Sequence, residues 1–406
     1  MKLLILTQYF PPEVGAPQNR LFELAVHLKT FAVAVTVITA MPNYPKMEIM
    51  EGYKGKKYMR EEMDGIIVHR SSIYIPKSKS IVQRLLNYFS FVYSSWRCGK
   101  KLKKEKFDFL LCESPPLFLG ISALFLSRKL NAKMIFNVSD LWPESAEKLG
   151  LVTNKFFLRL ATRLEEYLYK KSSLITGQTQ GIVKNISSRF PKKKVYWLKN
   201  GVDVSLIKRV NTNWRSEEKF SPDDFILLYA GILGHAQGLE VILKAAALLQ
   251  ESASIRFVLM GSGPEKEKLL ELKDKLNLNN VFFIDVQPKL KMPEILSSVD
   301  VAIIPLRKLD LFLGAIPSKI FENLAMEIPI LLGVDGEAKN LFVDEAKSGL
   351  FFTPENENEL AAAIQQLFSD KNLRKQLGAN GRKYVIEQFN RNKIASSFYN
   401  LLNENL

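Results

Sequence analysis

The stretch Val299–Gly333 reads VDVAIIPLRKLDLFLGAIPSKIFENLAMEIPILLG. Its apolar run Val301–Ile304, bounded by polar and proline residues, predicts a buried strand, and Ile328–Leu332 predicts the next strand. Between them, apolar residues at helical spacing predict a helix with Pro317 in its first turn. Such a strand–loop–helix–strand unit builds parallel α/β sheets, which place functional atoms at the carboxyl ends of their strands.

The start of the predicted helix combines an anion site with a carboxylate. The backbone N–H groups of Ser318 and Lys319 are expected at its positive end, and Lys319 adds a full charge. Glu322, one turn further on, shares a face with Lys319, and its carboxylate suits a pair of ribose hydroxyls. These features indicate a nucleotide site, although an ordinary surface Lys–Glu pair gives the same pattern.

Length and cysteine content bound the class of protein. A chain of 406 residues favours two domains. Its two cysteines, Cys98 and Cys112, exclude a disulfide framework and favour a reducing cytosol. No apolar run approaches the roughly 18 residues of a membrane-spanning helix.

The positive charge lies in the first half of the chain. Residues 1–205 contain 33 Lys and Arg against 16 Asp and Glu, whereas residues 206–406 contain 24 against 26. The candidate partners of so basic a half are anionic lipid, nucleic acid or a phosphorylated substrate.

Residues 76–106 place basic side chains around an aromatic helix. Lys100, Lys101, Lys103 and Lys104 close this segment, and the pattern favours a protein that lies on an anionic membrane without crossing it. A core helix followed by a solvated, charged helix end is the alternative.

Strands and helices alternate along both halves, so the predicted fold class is α/β, with two Rossmann-like, doubly wound parallel-sheet domains facing a cleft. The polar stretch 204–223 predicts the hinge. We therefore expect an N-terminal acceptor-binding and membrane-facing domain over 1–205 and a C-terminal nucleotide-sugar-binding domain over 206–388. A last helix in 389–406 is expected to pack back on the first domain.

The whole chain resembles the retaining glycosyltransferases of family 4, which have the two-domain GT-B fold. The resemblance rests on the order and spacing of five segments: QYFPPEVGAPQNR, KNGVD, YAGILGHAQGLE, MGSGPEKEKL and IPLRK with PSKIFENLA. SDLWPES and PSKIFENLA are similar to a bacterial subgroup that builds surface polysaccharides, including transferases of N-acetyl-fucosamine-type sugars.

The chain departs from that family at its charged positions. The family commonly has two glutamates separated by seven residues, and here the first position is Gly314 and the second Glu322. Its usual Arg and Lys after the hinge correspond to Ile232 and Gln237. Its usual histidine corresponds to Ser139, which Asp140 follows.

These departures set the expected site. Lys319 and Arg307 are expected to replace the missing cations in catalysis, and Asp140 is a third catalytic candidate that could instead cap a helix. Ser139 and Glu144 are expected to bind the acceptor. The residues expected to bind the donor are Gly15, Gly231, Gly234, His235, Gln237, Ser318, Lys319 and Glu322.

The resemblance implies transfer of a sugar from a nucleotide-sugar, UDP-linked and of N-acetyl-fucosamine type, to a lipid-diphosphate-linked saccharide. The product would serve O-antigen or capsule synthesis at the inner face of the cytoplasmic membrane. No His, Cys and carboxylate cluster has metal-ligand spacing, so no metal or other cofactor is expected. A nucleotide-sugar epimerase of the same fold and a basic nucleic-acid-binding protein are the alternatives; the chain contains no recognised nucleic-acid motif.

Overall fold

Two sheets built mainly of parallel strands organise this computed structural model. The structure describes every residue except Pro45, Lys46, Lys79, Leu151 and Leu206. The chain divides into two compact units, the first formed by 1–200 with 391–406 and the second by 201–390. In the described residues, no helix is both long and apolar enough to cross a bilayer.

The first unit holds an eight-stranded sheet in the order β3-β4-β2-β1-β5-β6-β7-β8, and the second a six-stranded sheet in the order β11-β10-β9-β12-β13-β14. The strands are β1 Lys2–Leu6, β2 Ala34–Ala40, β3 Tyr58–Met63, β4 Ile66–Ser71, β5 Phe109–Ser114, β6 Lys133–Val138, β7 Leu174–Gly177, β8 Val195–Trp197, β9 Phe225–Ala230, β10 Ile255–Met260, β11 Val281–Ile284, β12 Val301–Pro305, β13 Ile330–Gly333 and β14 Gly349–Phe351.

Helices follow most of these strands and return the chain to the next one. They are α1 Ala16–Thr30, α2 Ile81–Lys100, α3 Leu119–Leu130, α4 Glu144–Lys148, α5 Lys155–Lys171, α6 Gln180–Arg189, α7 Trp214–Glu217, α8 Glu240–Leu248, α9 Lys266–Lys275, α10 Met292–Ser297, α11 Lys319–Ala325, α12 Glu337–Lys339, α13 Glu357–Ser369, α14 Lys371–Gln388 and α15 Arg391–Glu404.

Both faces of the first sheet are covered, which explains its continuous apolar strands. The side chains of Leu3, Leu4, Ile5 and Leu6 on β1 are all fully buried. Alternate residues of β1 belong to two separate cores, one shared with α1 and α15 and the other with α2, α3 and α5. Burial on both faces is the usual condition of a parallel sheet.

The chain passes between the units twice, at 200–201 and at 390–391. The first passage precedes the polar stretch 204–223 in which the sequence suggested a hinge. After the second, α15 packs on α1, where the rings of Phe31 and Tyr399 stack with their centroids 5.3 Å apart. Arg391 anchors α15 because its Nε donates to Glu23 at 3.1 Å and its Nη2 to Asn200 at 2.9 Å.

Two local details differ from the sequence-based expectation. Residues 58–63 form β3, an antiparallel edge strand that the sequence does not predict, because its exposed and half-buried residues lack an apolar run. Helix α11 begins at Lys319, so Pro317 precedes the helix rather than lying in its first turn. The carbonyl of Pro317 instead accepts a hydrogen bond from the N–H of Ile320 at 3.1 Å.

Candidate active site

Two glycines bring the loops after β9 and β10 into direct contact. Gly231 and Gly261 have φ angles of +147° and +145°, which side chains other than hydrogen rarely permit. A Cβ added to Gly261 would lie 1.8 Å from the carbonyl oxygen of Gly231. The sequence therefore uses glycine at both positions to build a close-packed backbone surface at the carboxyl edge of the second sheet.

Lys319 places its ammonium against this surface. Its Nζ lies 3.6 Å from the centroid of the Tyr229 ring, and a Cβ added to Gly231 would lie 2.9 Å from that nitrogen. Tyr229 is held in place because it is buried and its hydroxyl donates to the carbonyl of Ile232 at 2.6 Å. The Tyr229 ring and the Gly231 backbone therefore border the position of the Lys319 ammonium.

The surroundings of Lys319 weaken its hold on the proton. Desolvation lowers the pKa of the Lys319 ammonium to about 7, although the negative charge of Glu322 opposes the shift. The residue as a whole keeps partial solvent exposure, so a solute can still reach it. A second negative charge beside Nζ would restore the charged form, and the site is therefore suited to receiving an anion.

Glu322 and Ser318 lie on the same short segment. Glu322 is in the first turn of α11 and half-buried, and Ser318 is the N-cap residue without a side-chain capping bond. The N–H of Phe321 donates to the carbonyl of Ser318 at 3.2 Å. Because α11 has only seven residues, we assign the main attraction for an anion to the charge of Lys319 rather than to the helix dipole.

Arg307 holds the loop that follows β9. Its Nε donates to the carbonyl of His235 at 2.7 Å, and its backbone N–H donates to the carbonyl of Ala236 at 2.9 Å. Its Nη2 lies 3.7 Å from a carboxylate oxygen of Glu240. The structure thus gives Arg307 a positioning contact with the loop, and its direct participation in catalysis stays a prediction.

The other predicted donor residues lie in this loop. The side chain of His235 is exposed, with Nδ1 3.8 Å from Glu265 Oε1. A Cβ added to Gly234 would lie 2.7 Å from Gln237 Oε1, so this glycine leaves room for that amide. Ile232 presents an apolar side chain that is 55% exposed.

Gly314, the position where the family commonly has its first glutamate, ends the short 3₁₀ helix Asp310–Gly314. Among the described residues, no group of three or more His, Cys, Asp or Glu side chains could hold a metal ion.

The first unit contains a buried polar cluster at the ends of β5, β6 and β7. Arg20, on α1, is 4% exposed and pairs through Nη2 with the carboxylate of Glu113, which is 2% exposed. The same guanidinium donates to Ser139 Oγ at 2.8 Å and to Gln178 Oε1. Asn137 donates its amide to the second carboxylate oxygen of Glu113. We call these five residues the Arg20–Glu113 cluster.

Sequence reasoning found only Ser139 of this cluster. Arg20 and Glu113 are 93 residues apart. Arg20 is the last residue of the segment QYFPPEVGAPQNR, but that segment gives no indication of its partner, and Glu113 lies outside the quoted segments. The position of Glu113 in the sequence could have identified it as a site residue. It lies at the carboxyl end of the buried strand β5, just as Asp140 follows the carboxyl end of β6. Ser139, predicted to bind the acceptor, also donates its hydroxyl to Glu113 and is therefore already engaged.

Asp140 and Glu144 have different environments. Asp140 Oδ2 accepts a hydrogen bond from Ser145 Oγ at 2.8 Å, and burial raises the pKa of this carboxyl despite that bond. The bond also gives Asp140 a local structural role at the start of α4. Glu144 forms an exposed ion pair with Lys148 at 2.7 Å.

Gly15 is the N-cap residue of α1, with extended backbone. A Cβ there would lie 2.5 Å from Gln18 Oε1, a buried oxygen without a hydrogen-bond partner among the described residues. The loop before Gly15 is fixed by the buried carboxylate of Glu13. It accepts backbone N–H groups from Phe10 at 3.1 Å, Asn43 at 2.8 Å and Tyr44 at 2.9 Å.

The four predicted membrane lysines do not share one environment. Lys100 Nζ lies 4.1 Å from the centroid of the Trp96 ring, whereas Lys101 Nζ lies 5.2 Å from the ring of Tyr58 on β3. Lys103 and Lys104 lie exposed in the 3₁₀ turn that follows α2.

Comparison with known proteins gives the class. A family model for group 1 glycosyl transferases matches residues 210–384, and one for family 4 glycosyltransferases matches residues 18–206. The two matches fall on the second and first units respectively. The chain belongs to the family 4 glycosyltransferases and is a glycosyltransferase with the GT-B fold.

The chain is also similar to individual proteins of this class. The chain is 26% identical over 334 residues to the "Putative colanic acid biosynthesis glycosyl transferase WcaI" of Escherichia coli (strain K12), covering 80% of this chain and 81% of that protein.

Among solved structures, sucrose-phosphate synthase from Thermosynechococcus elongatus superposes with a TM-score of 0.77 at 17% identity, covering 99% of this chain and 98% of that one. Anabaena HepE in complex with UDP and glucose superposes with a TM-score of 0.74 at 17% identity, covering 100% of both chains.

Proposed function

We propose that this chain is a retaining, metal-independent glycosyltransferase that moves a hexosyl or N-acetylhexosaminyl group from a UDP-sugar to a lipid-diphosphate-linked saccharide. The product would enter O-antigen, capsule or related surface-polysaccharide synthesis. A relative named for colanic acid biosynthesis and a structural neighbour in complex with UDP and glucose support the substrate classes. N-acetyl-fucosamine is the sugar type that we favour, from the resemblance in PSKIFENLA.

The observation that carries the proposal is the desolvated ammonium of Lys319 beside the Gly231–Gly261 surface. When the bond between the sugar and UDP breaks, negative charge grows on the departing diphosphate. A cation fixed at that place stabilises the transition state more than it stabilises the ground state. We assign this role to Lys319, with Glu322 on the ribose hydroxyls and Ser318 and the loop residues Gly231, Gly234, His235 and Gln237 around the donor.

Arg307 supports the same step indirectly, by holding the loop that would bind the donor. Its bonds to the carbonyls of His235 and Ala236 fix the loop backbone, and its remaining charge adds to the field at the diphosphate. We therefore propose it as a positioning residue for the donor loop with a secondary electrostatic contribution.

In the proposed retaining reaction, the acceptor hydroxyl attacks the sugar on the face that the diphosphate leaves. Such a scheme needs no carboxylate nucleophile, unlike the usual retaining glycosidases. Asp140 is the candidate for orienting the acceptor hydroxyl, because it follows the carboxyl end of β6 and burial raises the pKa of its carboxyl. Gly15 would give close backbone approach to the donor, and Ser139 and Glu144 would contribute to the acceptor side.

A basic and apolar face of the first unit supports peripheral attachment to the cytoplasmic membrane. Helices α2, α3 and α5 form this face, and their sequences contain ten Lys and Arg but only two carboxylates, Glu165 and Glu166. Apolar side chains surrounded by cations suit an anionic bilayer surface. The large apolar side chains exposed on these three helices are Val82, Leu86, Phe89, Tyr93, Phe125, Phe156, Leu160 and Tyr167.

The test is sugar transfer with defined substrates. Thermal shift against UDP, GDP and their sugars should show stabilisation by UDP compounds, about 2.7 kcal/mol at 100 times the dissociation constant. The stabilising UDP-sugar should then lose its sugar to a lipid-diphosphate-linked saccharide with the anomeric configuration kept. Isomerised donor formed without any acceptor would instead indicate an epimerase, and stabilisation by GDP compounds alone would contradict the proposed donor.

A further inference from the structure

An open groove lies between the C-terminal halves of α2 and α3. Its volume is about 370 Å³, and its lining consists of Trp96 and Lys100 from α2 and Phe125, Arg128 and Lys129 from α3. Three cations and two aromatic rings therefore surround one space, and none of the described residues that line it is a carboxylate. This composition fits a ligand that has both an anionic and an apolar part.

The groove is partly organised before any ligand binds. Lys100 Nζ lies 4.1 Å from the centroid of the Trp96 ring, so this cation is held at the groove wall. Trp96 is in turn near Tyr93, with ring centroids 6.2 Å apart. Phe125 on the opposite wall is 53% exposed.

Basic residues in the last turn of a helix often serve only to offset the helix dipole. Arg128 and Lys129 lie in the last turn of α3, and Lys100 in the last turn of α2. That explanation does not require the half-buried ring of Trp96 and the exposed ring of Phe125 beside the cations. It also does not explain the exposed ring of Tyr93, which lies one turn before Trp96 and next to it.

We propose that this groove binds the phosphate-bearing headgroup of an anionic membrane phospholipid. The phosphate would lie among Lys100, Arg128 and Lys129, and Trp96 and Phe125 would reach the interface between headgroups and acyl chains, where aromatic residues concentrate. Basic pockets between transmembrane helices bind lipid headgroups, and this groove places a similar set of cations on a helix pair. The inference rests on the membrane attachment proposed above and adds to it one defined lipid site.

Two variants with equal charge loss separate a defined site from diffuse attraction. The first is Lys100→Gln with Arg128→Gln and Lys129→Gln, and the second is Lys101→Gln with Lys103→Gln and Lys104→Gln. Lys101 is a matched control for Lys100 because it is adjacent in sequence but lies over Tyr58, outside the groove.

Sedimentation with vesicles of phosphatidylcholine containing phosphatidylglycerol measures the difference. We expect the groove variant to bind at least tenfold more weakly than the control variant, and both to fold as wild type by circular dichroism. Equal losses in the two variants would overturn the proposal in favour of general surface electrostatics, and so would unchanged binding in the groove variant.

A second measurement distinguishes the lipid from a free anion. Short-chain phosphatidylglycerol, below the concentration at which it forms micelles, should change the tryptophan fluorescence of wild type but produce a smaller change in Trp96→Phe. Inorganic phosphate at the same concentration should have no effect. An equal response to inorganic phosphate, or the same lipid response in Trp96→Phe, would contradict a lipid site.

Failure of the groove and failure of the proposed function give different results. If the wild-type protein transfers sugar but the two triple variants lose vesicle binding equally, only the groove site is contradicted. A protein that binds phosphatidylglycerol vesicles through the groove but transfers no sugar lacks the proposed activity only.

Discussion

The two units each place a cation at the carboxyl edge of their sheet, but they treat its charge in opposite ways. In the first unit, the guanidinium of Arg20 is ion-paired with Glu113 inside a buried hydrogen-bonded cluster. In the second, the ammonium of Lys319 lies over a tyrosine ring with its pKa lowered to about 7. The first charge is already neutralised, and the second has lost solvation without equivalent compensation.

This difference matches the two halves of the proposed reaction. A nucleotide-sugar carries two phosphates, and more negative charge develops on them as the sugar leaves. It therefore needs a site with a cation that a nearby negative charge stabilises. Sugar hydroxyls of an acceptor are neutral, and a self-neutralised polar cluster can support them without attracting anions.

The largest effect is expected from breaking the buried ion pair. Glu113→Ala should lower the free energy of unfolding by about 3–5 kcal/mol, because it leaves the Arg20 charge buried and uncompensated. Urea unfolding measures the change. The control Glu144→Ala breaks the exposed pair with Lys148 and should cost less than about 1 kcal/mol. Equal costs for the two variants would show that the Arg20–Glu113 pair is not buried as described.

Lys319→Ala should lower kcat by roughly 10²–10³, as expected for removal of one electrostatic partner of the transition state. Its KM should change less, because the lost interaction is strongest after the sugar bond begins to break. Steady-state kinetics with the cognate UDP-sugar give both values. Lys308→Ala, an exposed lysine next to Arg307, should keep wild-type kinetics. A wild-type kcat in Lys319→Ala would contradict a role for Lys319 in the transition state. The departing diphosphate would then be stabilised by the backbone N–H groups of the loop.

Glu322→Ala should weaken UDP binding by about 1.5–3 kcal/mol, the range for hydrogen bonds to charged groups, while leaving the fold intact. Calorimetric titration with UDP measures this. Uridine alone should lose a similar amount, since the proposed contact is with the ribose and not with the phosphates. If the Glu322→Ala variant bound UDP and uridine as tightly as wild type does, Glu322 would not belong to the ribose site.

The smallest effect is expected for the loop anchor. Arg307→Ala should cost about 1 kcal/mol in kcat/KM, roughly fivefold, through the lost bond to the His235 carbonyl. Arg307→Lys keeps the charge but not the planar fork of N–H donors. If positioning dominates, both variants should lose equally. Full activity in Arg307→Lys would instead assign the role to charge.

The sequence predicts the frame of this molecule well, for a physical reason. Short apolar runs rich in β-branched residues, such as Val301–Ile304 and Ile328–Leu332, predict buried strands, and β12 and β13 lie there. Because strand ends gather at one sheet edge, Lys319 was found from its position after β12. The edge strand β3 was not predicted, because a strand of exposed and half-buried residues leaves no apolar pattern.

The Arg20–Glu113 cluster shows what local patterns cannot supply. Its members come from α1, β5, β6 and the end of β7, and only the folded sheet brings them together. Similarly, the sequence shows that Lys100 and Lys101 are adjacent, but not that one lies over Trp96 and the other over Tyr58. Adjacent positions in the sequence placed Lys100 and Lys101 in one predicted membrane group, whereas the structure gives them different surroundings.

Proton uptake on UDP binding tests most directly whether Lys319 meets the diphosphate. At pH 8 the ammonium, with a pKa of about 7, is mostly neutral in the free protein, and an adjacent diphosphate should raise that pKa. Titration calorimetry at pH 8 in buffers of different ionisation enthalpy should show uptake of close to one proton in wild type and little in Lys319→Met. The affinity of wild type should accordingly fall as pH rises above 7. Uptake that is absent in wild type, or unchanged in Lys319→Met, would show that the Lys319 ammonium does not contact the diphosphate.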